Sequence, residues 1–328
     1  MRKVLYHIKK QIFSRCILLL CFLFRIFLDA SGQEAAIFDS LHKKTDTTIN
    51  SKAKKLILAS VQAGLWTGSL IALEKTWYSK YERSSFQTFN DWNEWQQMDK
   101  FGHFYSAYQI TEHTSNIWRW AGTDKKKSFI IGGISSLIFL NTIELMDAYS
   151  AKWGFSNSDL AGNLAGTGLY LSQAFAWDEQ RIRLKFSYFP RQYGLLSSRS
   201  DQLFGSTLIE KALKDYNGQT YWASINLKSF FKVDKLPPWL CLSIGYGADN
   251  MLGGFENKWI TESGVEVNHE DIKRNRKFLL SLDIDLSKVK SKNSVVRTIF
   301  SLVNTLKIPA PALAFNSQGR PRLYPIYF

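Results

Sequence analysis

Three short polar signatures interrupt an otherwise apolar stretch between Asp99 and Trp177. The first is Asp99-Lys100-Phe101-Gly102-His103, the second Glu144-Leu145-Met146-Asp147. The third runs from Trp153-Gly154-Phe155-Ser156 through Asp159 and Asn163 to Gly166. Each sets ionisable or amide groups at helical spacing among residues that look buried, and buried charge is costly unless it is paired or put to use. Asp99 and His103, four residues apart, share one helix face. They form either an N-terminal cap and a satisfied histidine, or a carboxylate–imidazole pair able to ligate a metal or move a proton. Glu144 and Asp147 end an apolar helix, where two negative charges oppose the macrodipole. Something must compensate them: a cation, Lys152, a histidine or protonation. Ser156 and Asp159 are close to a capping box, and Asn163 follows one turn later.

Taken together, Asp99, Lys100, His103, Glu144, Asp147, Ser156, Asp159 and Asn163 form one candidate polar site. Its metal-ligand subset is Asp99, His103, Glu144, Asp147 and Asp159. Oxygen-rich ligands with a single imidazole suit a hard or borderline divalent cation. No G-x-S-x-G elbow, Walker A loop, H-E-x-x-H or C-x-x-C is present, so no complete catalytic constellation can be read.

The elements that must position these residues follow from periodicity. Residues 56–73, 128–143 and 160–177 are uncharged or nearly so, and 101–120 is amphipathic; these predict four helices of about 20 residues. Gly64-x-x-x-Gly68 and Gly162-x-x-x-Gly166 allow close backbone approach. The runs lie on the border between a membrane span and a buried bundle helix, with membrane association slightly favoured. After Trp177 the period shortens to two. Residues 181–189, 220–231, 239–248 and 277–286 read as strands, 295–306 as a helix stopped by Pro309 and Pro311, and 322–328 as an extended tail. The expected fold class is α+β, a helical bundle of about four helices followed by a β-rich C-terminal region.

Residues 1–15 are basic and 16–28 apolar apart from Arg25, which reads as a signal peptide over 1–32 with cleavage before Gln33; a retained anchor is the alternative. Leu18-Leu19-Leu20-Cys21 is close to a lipoprotein cleavage box but lacks the small residue before the cysteine. A polar linker over 33–54, the bundle over 55–178 and the β-rich region over 179–328 complete the expected organisation. Of three cysteines, Cys16 and Cys21 lie in the apolar run, leaving Cys241 as a small buried hydrophobe and no disulfide framework. A net charge of +14 without any nucleic-acid motif points to a membrane or anionic lipid surface, or an envelope protein partner.

The three signatures also resemble a known pattern. Asp99-Lys100-x-Gly102-His103, Glu144-x-x-Asp147 and Trp153-Gly154-Phe155-Ser156-x-x-Asp159-x-x-x-Asn163-x-x-Gly166 resemble the YfiM-like family of uncharacterised predicted periplasmic lipoproteins over residues 70–190. They are distantly similar to the VanZ-like pattern of polar motifs on successive membrane helices. Residues 213–222 and 244–248 look like the longer envelope version of the first family, and Ala148 stands where that pattern has Gly. The resemblance implies an exported envelope protein of unknown activity. Three functional readings follow: an envelope protein whose bundle holds a polar, metal-binding site; a non-catalytic structural or interaction protein; and part of an outer-membrane barrel, favoured by alternating strands and the terminal Phe328.

Overall fold

The computed structural model describes residues 51–79, 81–231, 233–261, 263–317, 319 and 321–328. The expected signal peptide, Cys16 and Cys21 lie outside the described residues. The chain divides into two compact units. One comprises residues 50–289 and 303–328, and the other includes 290–302 among the described residues.

Four long helices come first: α1 (Ser51–Leu73), α2 (Met98–Trp120), α3 (Lys125–Ala148) and α4 (Asn157–Ala176). The first begins inside the stretch expected to be linker, and a π-helical turn, Glu74–Tyr78, extends it. Two of the starts are capped as physical chemistry requires. Asp124 accepts from Lys127 N at 3.2 Å to open α3, and Ser156 Oγ accepts from Asp159 N at 3.0 Å to open α4. At the start of α2 Gln97, not Asp99, is the capping residue, and it makes no side-chain cap bond. Trp95, Gln96 and Gln97 there have φ of 47°, 54° and 65°. Each such non-glycine residue costs on the order of 1–3 kcal/mol and persists only where its surroundings hold it. The Tyr246 hydroxyl donates to Gln96 O at 2.6 Å, and Trp95 N donates to Gly254 O at 2.7 Å.

The segment α2 is the centre of the bundle and packs on both α3 and α4. Tyr108, Phe129, Tyr170 and Ala174 form its apolar core with Leu184 of the sheet. The approach of α4 to α2 is close enough to demand glycine. A Cβ on Gly166 would sit 2.1 Å from Phe104 O, and one on Gly162 would sit 3.0 Å from Lys100 O. These two positions bracket Asn163, so the glycines set how far α4 polar groups reach toward α2. By length and composition, Ser51–Tyr78 and Lys125–Ala148 could cross a membrane. A third of the apolar window in α3 is buried inside the protein, and none of that in Ser51–Tyr78.

The β-rich region follows, as the change of period predicts. Strands β1 (Ile182–Tyr188), β2 (Gln219–Asn226), β3 (Leu240–Asp249), β6 (Asn275–Ile284), β7 (Ala310–Asn316) and β8 (Arg322–Tyr327) form an antiparallel sheet in that order. A small hairpin, β4 (Lys258–Ile260) with β5 (Glu266–Asn268), stands apart from it. The sheet curls. Thr220 of β2 and Tyr327 of β8 meet through their hydroxyls at 3.0 Å, and residues 305–307 bond to Phe186 of β1 at 3.0 and 2.8 Å. Short helices α5 (Ser197–Phe204), α6 (Leu208–Lys214) and α7 (Leu227–Phe231) fill the connections, and α8 (Ser294–Val303) lies mostly in the smaller unit.

Two expectations change at element ends. The strand expected over 220–231 stops at Asn226, because Asn226 Oδ1 accepts from Ser229 N at 3.0 Å and starts a helical turn. Pro311, expected only to end a helix, sits inside β7. A register shift between Ala310 and Ala312 accommodates it. Replacing Gly166 with Ala is expected to destabilise the folded chain by about 1–3 kcal/mol, because the new methyl overpacks the α2–α4 contact. Urea denaturation measures this, and an unchanged midpoint would show that the two helices can separate without loss.

Candidate functional site

The site forms where the N-terminal turns of α2 and α4 meet the C-terminal end of α3. Lys100 is its hub, with its ammonium buried. It pairs with Asp91 at hydrogen-bond distance, with Asp159 Oδ1 at 2.8 Å and with Asp99 Oδ2 at 3.1 Å. Asp91, in the loop before α2, also accepts from the hydroxyls of Ser156 and Ser158 at 2.7 and 2.6 Å. Burial alone would raise the Asp91 carboxyl; hydrogen bonds from Lys100, Ser158 and Ser156 outweigh it and hold the group at about 2. Burial would lower the Lys100 ammonium, but Asp99 and Asp159 keep it charged well above its ordinary range.

His103, one turn along α2, faces the other side of this cluster. Its Nδ1 lies 3.1 Å from Asn163 Oδ1, while Asn163 Nδ2 donates to Asn141 Oδ1 at 3.0 Å. That polarity makes His103 Nδ1 the donor and turns Nε2 toward carboxylates. Glu144 Oε1 is 3.6 Å from Nε2 and Asp159 Oδ2 is 3.9 Å. Against burial, which lowers it, the charges of Asp99, Asp159 and Glu144 raise the imidazole pKa. Asp99 is held in place from the sheet side, where the Tyr216 hydroxyl donates to its Oδ1 at 2.7 Å.

One ligand atom from each of Asp99, His103 and Asp159 lies within 4.8 Å of the others. Glu144 is 1% exposed. Its Oε2 accepts weakly from Ser156 N at 3.4 Å, and its Oε1 has no hydrogen-bond partner. Burial pushes Glu144 up to about 7 despite the nearby His103. For the close carboxylates Asp99 and Asp159 the directions diverge. Burial would raise Asp99, but His103, Lys100 and the Tyr216 hydroxyl hold it low, whereas burial and then the Asp99 charge push Asp159 up. Negative charge is therefore in excess here, and it is met by bound protons or by an added cation.

The structure brings Asp99, Lys100, His103, Glu144, Ser156, Asp159 and Asn163 into this one cluster. Asp147 points elsewhere, accepting from the Tyr78 hydroxyl at 2.8 Å. Burial raises Asp147 to about 6 despite that bond. Lys152 does not compensate either acid of α3, and donates instead to Tyr81 at 2.6 Å. Ser156 and Asp159 make only half of a capping box. The Ser156 amide is met by Glu144 rather than by Asp159. Asp91 and Tyr216 are not legible as site residues, because each lies in a connection without a partner at helical spacing; Asn141 sits three residues before Glu144 on α3, and that spacing could have found it. Glu94, just before α2, joins the acidic surroundings, pushed to about 7 by burial and then by Asp99.

Residues 88–173 match the model of a family described as predicted periplasmic lipoprotein (DUF2279). The matched range contains every member of the cluster except Tyr216. No curated protein and no solved structure matches the chain. The family match supports an envelope protein that is exported and periplasmic or membrane-associated.

The folded-state pKa of Glu144, near 7, exceeds its unfolded value of about 4.5. Its contribution to stability is therefore full below pH 4.5 and is lost as pH rises through 7. In chelator, the melting temperature is expected to fall between pH 5 and 8, and Glu144→Gln is expected to flatten that fall. Equal pH dependence in both proteins would contradict the assignment.

Proposed function

We propose that the helical bundle is a divalent-cation site in an exported envelope protein, with Asp99, His103 Nε2, Asp159 and Glu144 as the ligands. The observation that carries this reading is the buried Glu144 Oε1, which makes no hydrogen bond and lies 3.6 Å from His103 Nε2. A cation there would take up that oxygen and neutralise the excess carboxylate charge. Asn163 orients the imidazole through Nδ1, the usual outer partner of a metal-bound histidine. Mixed carboxylate and single-imidazole ligation favours Mg²⁺, Mn²⁺ or Zn²⁺ over soft-metal chemistry. The YfiM-like and VanZ-like patterns fall on these same residues, which supports one shared site rather than three separate caps.

A second reading rests on Lys100. Its ammonium already bridges Asp91, Asp99 and Asp159, as a structural cross-link between helices would. In that reading the protein is a non-catalytic structural or interaction protein. The two are separated by elemental analysis of the full chain, with melting measured with and without chelator. A ligand at a hundred times its Kd stabilises by about 2.7 kcal/mol. The cation-site reading predicts one bound metal per chain, a shift of that order, and loss of both in folded His103→Ala. No metal and no shift would leave the cross-link reading.

A further inference from the structure

The curled sheet has the polarity of its two faces reversed. In water, an antiparallel sheet turns apolar side chains to the core and polar ones to solvent. Here the concave face holds Lys185, Ser224, Ser243, Ser281, Asp283 and Lys307, all buried, beside a small apolar cluster of Trp222, Leu279, Ala312 and Ala314. Lys185 Nζ pairs with Asp283 Oδ2 at 3.0 Å, and Lys307 Nζ lies 3.8 Å from Oδ1. Ser224 donates to Asp283 at 2.7 Å and receives from Ser243 at 3.0 Å. The register sets these groups in rows across the strands: Ser224 opposite Ser243, and Ser243 opposite Ser281.

The opposite rows are apolar and uncovered. Ile244 pairs with Leu280, Leu280 with Leu313 and Leu313 with Leu323. Beside them Phe278 pairs with Phe315, and Leu242 with Leu282. Ile244, Phe278, Leu280, Leu282, Phe315 and Leu323 are 41–68% exposed. The bundle covers the β1–β2–β3 end of this same face, through Phe186, Tyr221 and Tyr246 against Tyr105 and Phe101, and the rows from Ile244 and Phe278 out to β8 continue beyond that contact. The half-exposed Trp239, just before β3, flanks the apolar rows at one end, where aromatic residues stand at membrane–water interfaces.

We propose that the convex face of β3, β6, β7 and β8 lies in the hydrocarbon of a lipid bilayer. Exposed apolar rows of this extent mark an interaction surface. Lipid is the occupant argued for because the interior is the charged side, the arrangement that a sheet facing hydrocarbon must adopt. A protein partner leaves unexplained why the sheet buries three charged side chains at its centre. The exported, envelope location supplies a bilayer within reach. The contact concerns one face of the sheet and is independent of the cation site.

The test is co-flotation of the full chain with neutral phosphatidylcholine vesicles, comparing wild type with Ile244→Glu/Leu280→Glu, a facing pair at the centre of the rows. A milder Ile244→Ser/Leu280→Ser variant covers failure to fold, and near-ultraviolet circular dichroism of buried Trp222 checks the sheet. Wild type is expected to float, and the folded variants to lose at least tenfold of the bound fraction. Ile134→Glu/Ile138→Glu, on the exposed side of α3, is expected to float as wild type does. The proposal is overturned if the sheet variants float unchanged, or if wild type stays unbound. Binding only to anionic vesicles and reversed by salt would also overturn it. So would a dimer that the variants dissociate without any vesicle binding, which assigns the face to a second copy.

Discussion

Burying one lysine among carboxylates is the constraint on which the helical half depends. An ammonium taken out of water loses several kcal/mol of solvation, and only well-placed anions return it. Lys100 gets them from three separate places: the loop before α2 through Asp91, α2 itself through Asp99, and α4 through Asp159. Meeting that requirement fixes the rest. Asp91 must be held, so Ser156 and Ser158 at the start of α4 donate to it. The α4 helix must come close, so Gly162 and Gly166 face α2. The chain entering α2 must turn sharply, and three left-handed residues absorb the strain.

The same arrangement oversupplies negative charge, and function enters through that surplus. One lysine and one histidine face Asp91, Asp99, Glu144 and Asp159, all close to or within the cluster. A network built solely to tie helices together would do better balanced, because every surplus buried carboxylate must hold a proton or weaken the fold. Glu144, at the end of α3, is the clearest surplus group. Its burial is nearly complete and one of its oxygens makes no hydrogen bond. The helix dipole adds nothing favourable at that end. An acid kept under these conditions is one whose charge is used.

Much of this is legible in the amino-acid sequence. The four helices follow from their apolar runs, and the β region from the switch to period two, since both signals come from local burial. Asp99 with His103, and Ser156 with Asp159 and Asn163, could be grouped because helical spacing puts them on shared faces. The same logic groups Asp147 with Glu144, but its carboxylate accepts from Tyr78 instead. Asp91 and Tyr216 were not readable, because their roles arise from loop closure and from a hydroxyl 117 residues away in sequence from Asp99. The reversed sheet shows the limit most plainly. Alternation in 278–286 reveals that one face is apolar, but which face turns inward depends on the curl. Only the pairing of Lys185 and Lys307 with Asp283 decides that.

The central claim is that the surplus carboxylates and His103 hold a cation together, and the most direct measurement is electron paramagnetic resonance of Mn²⁺ added to the full chain. The account predicts a bound-metal spectrum with nitrogen hyperfine coupling from one imidazole, and loss of that coupling in folded His103→Ala. A spectrum of fully hydrated Mn²⁺, the same for both proteins, would contradict it and leave Lys100 as the only cation the cluster was built to hold.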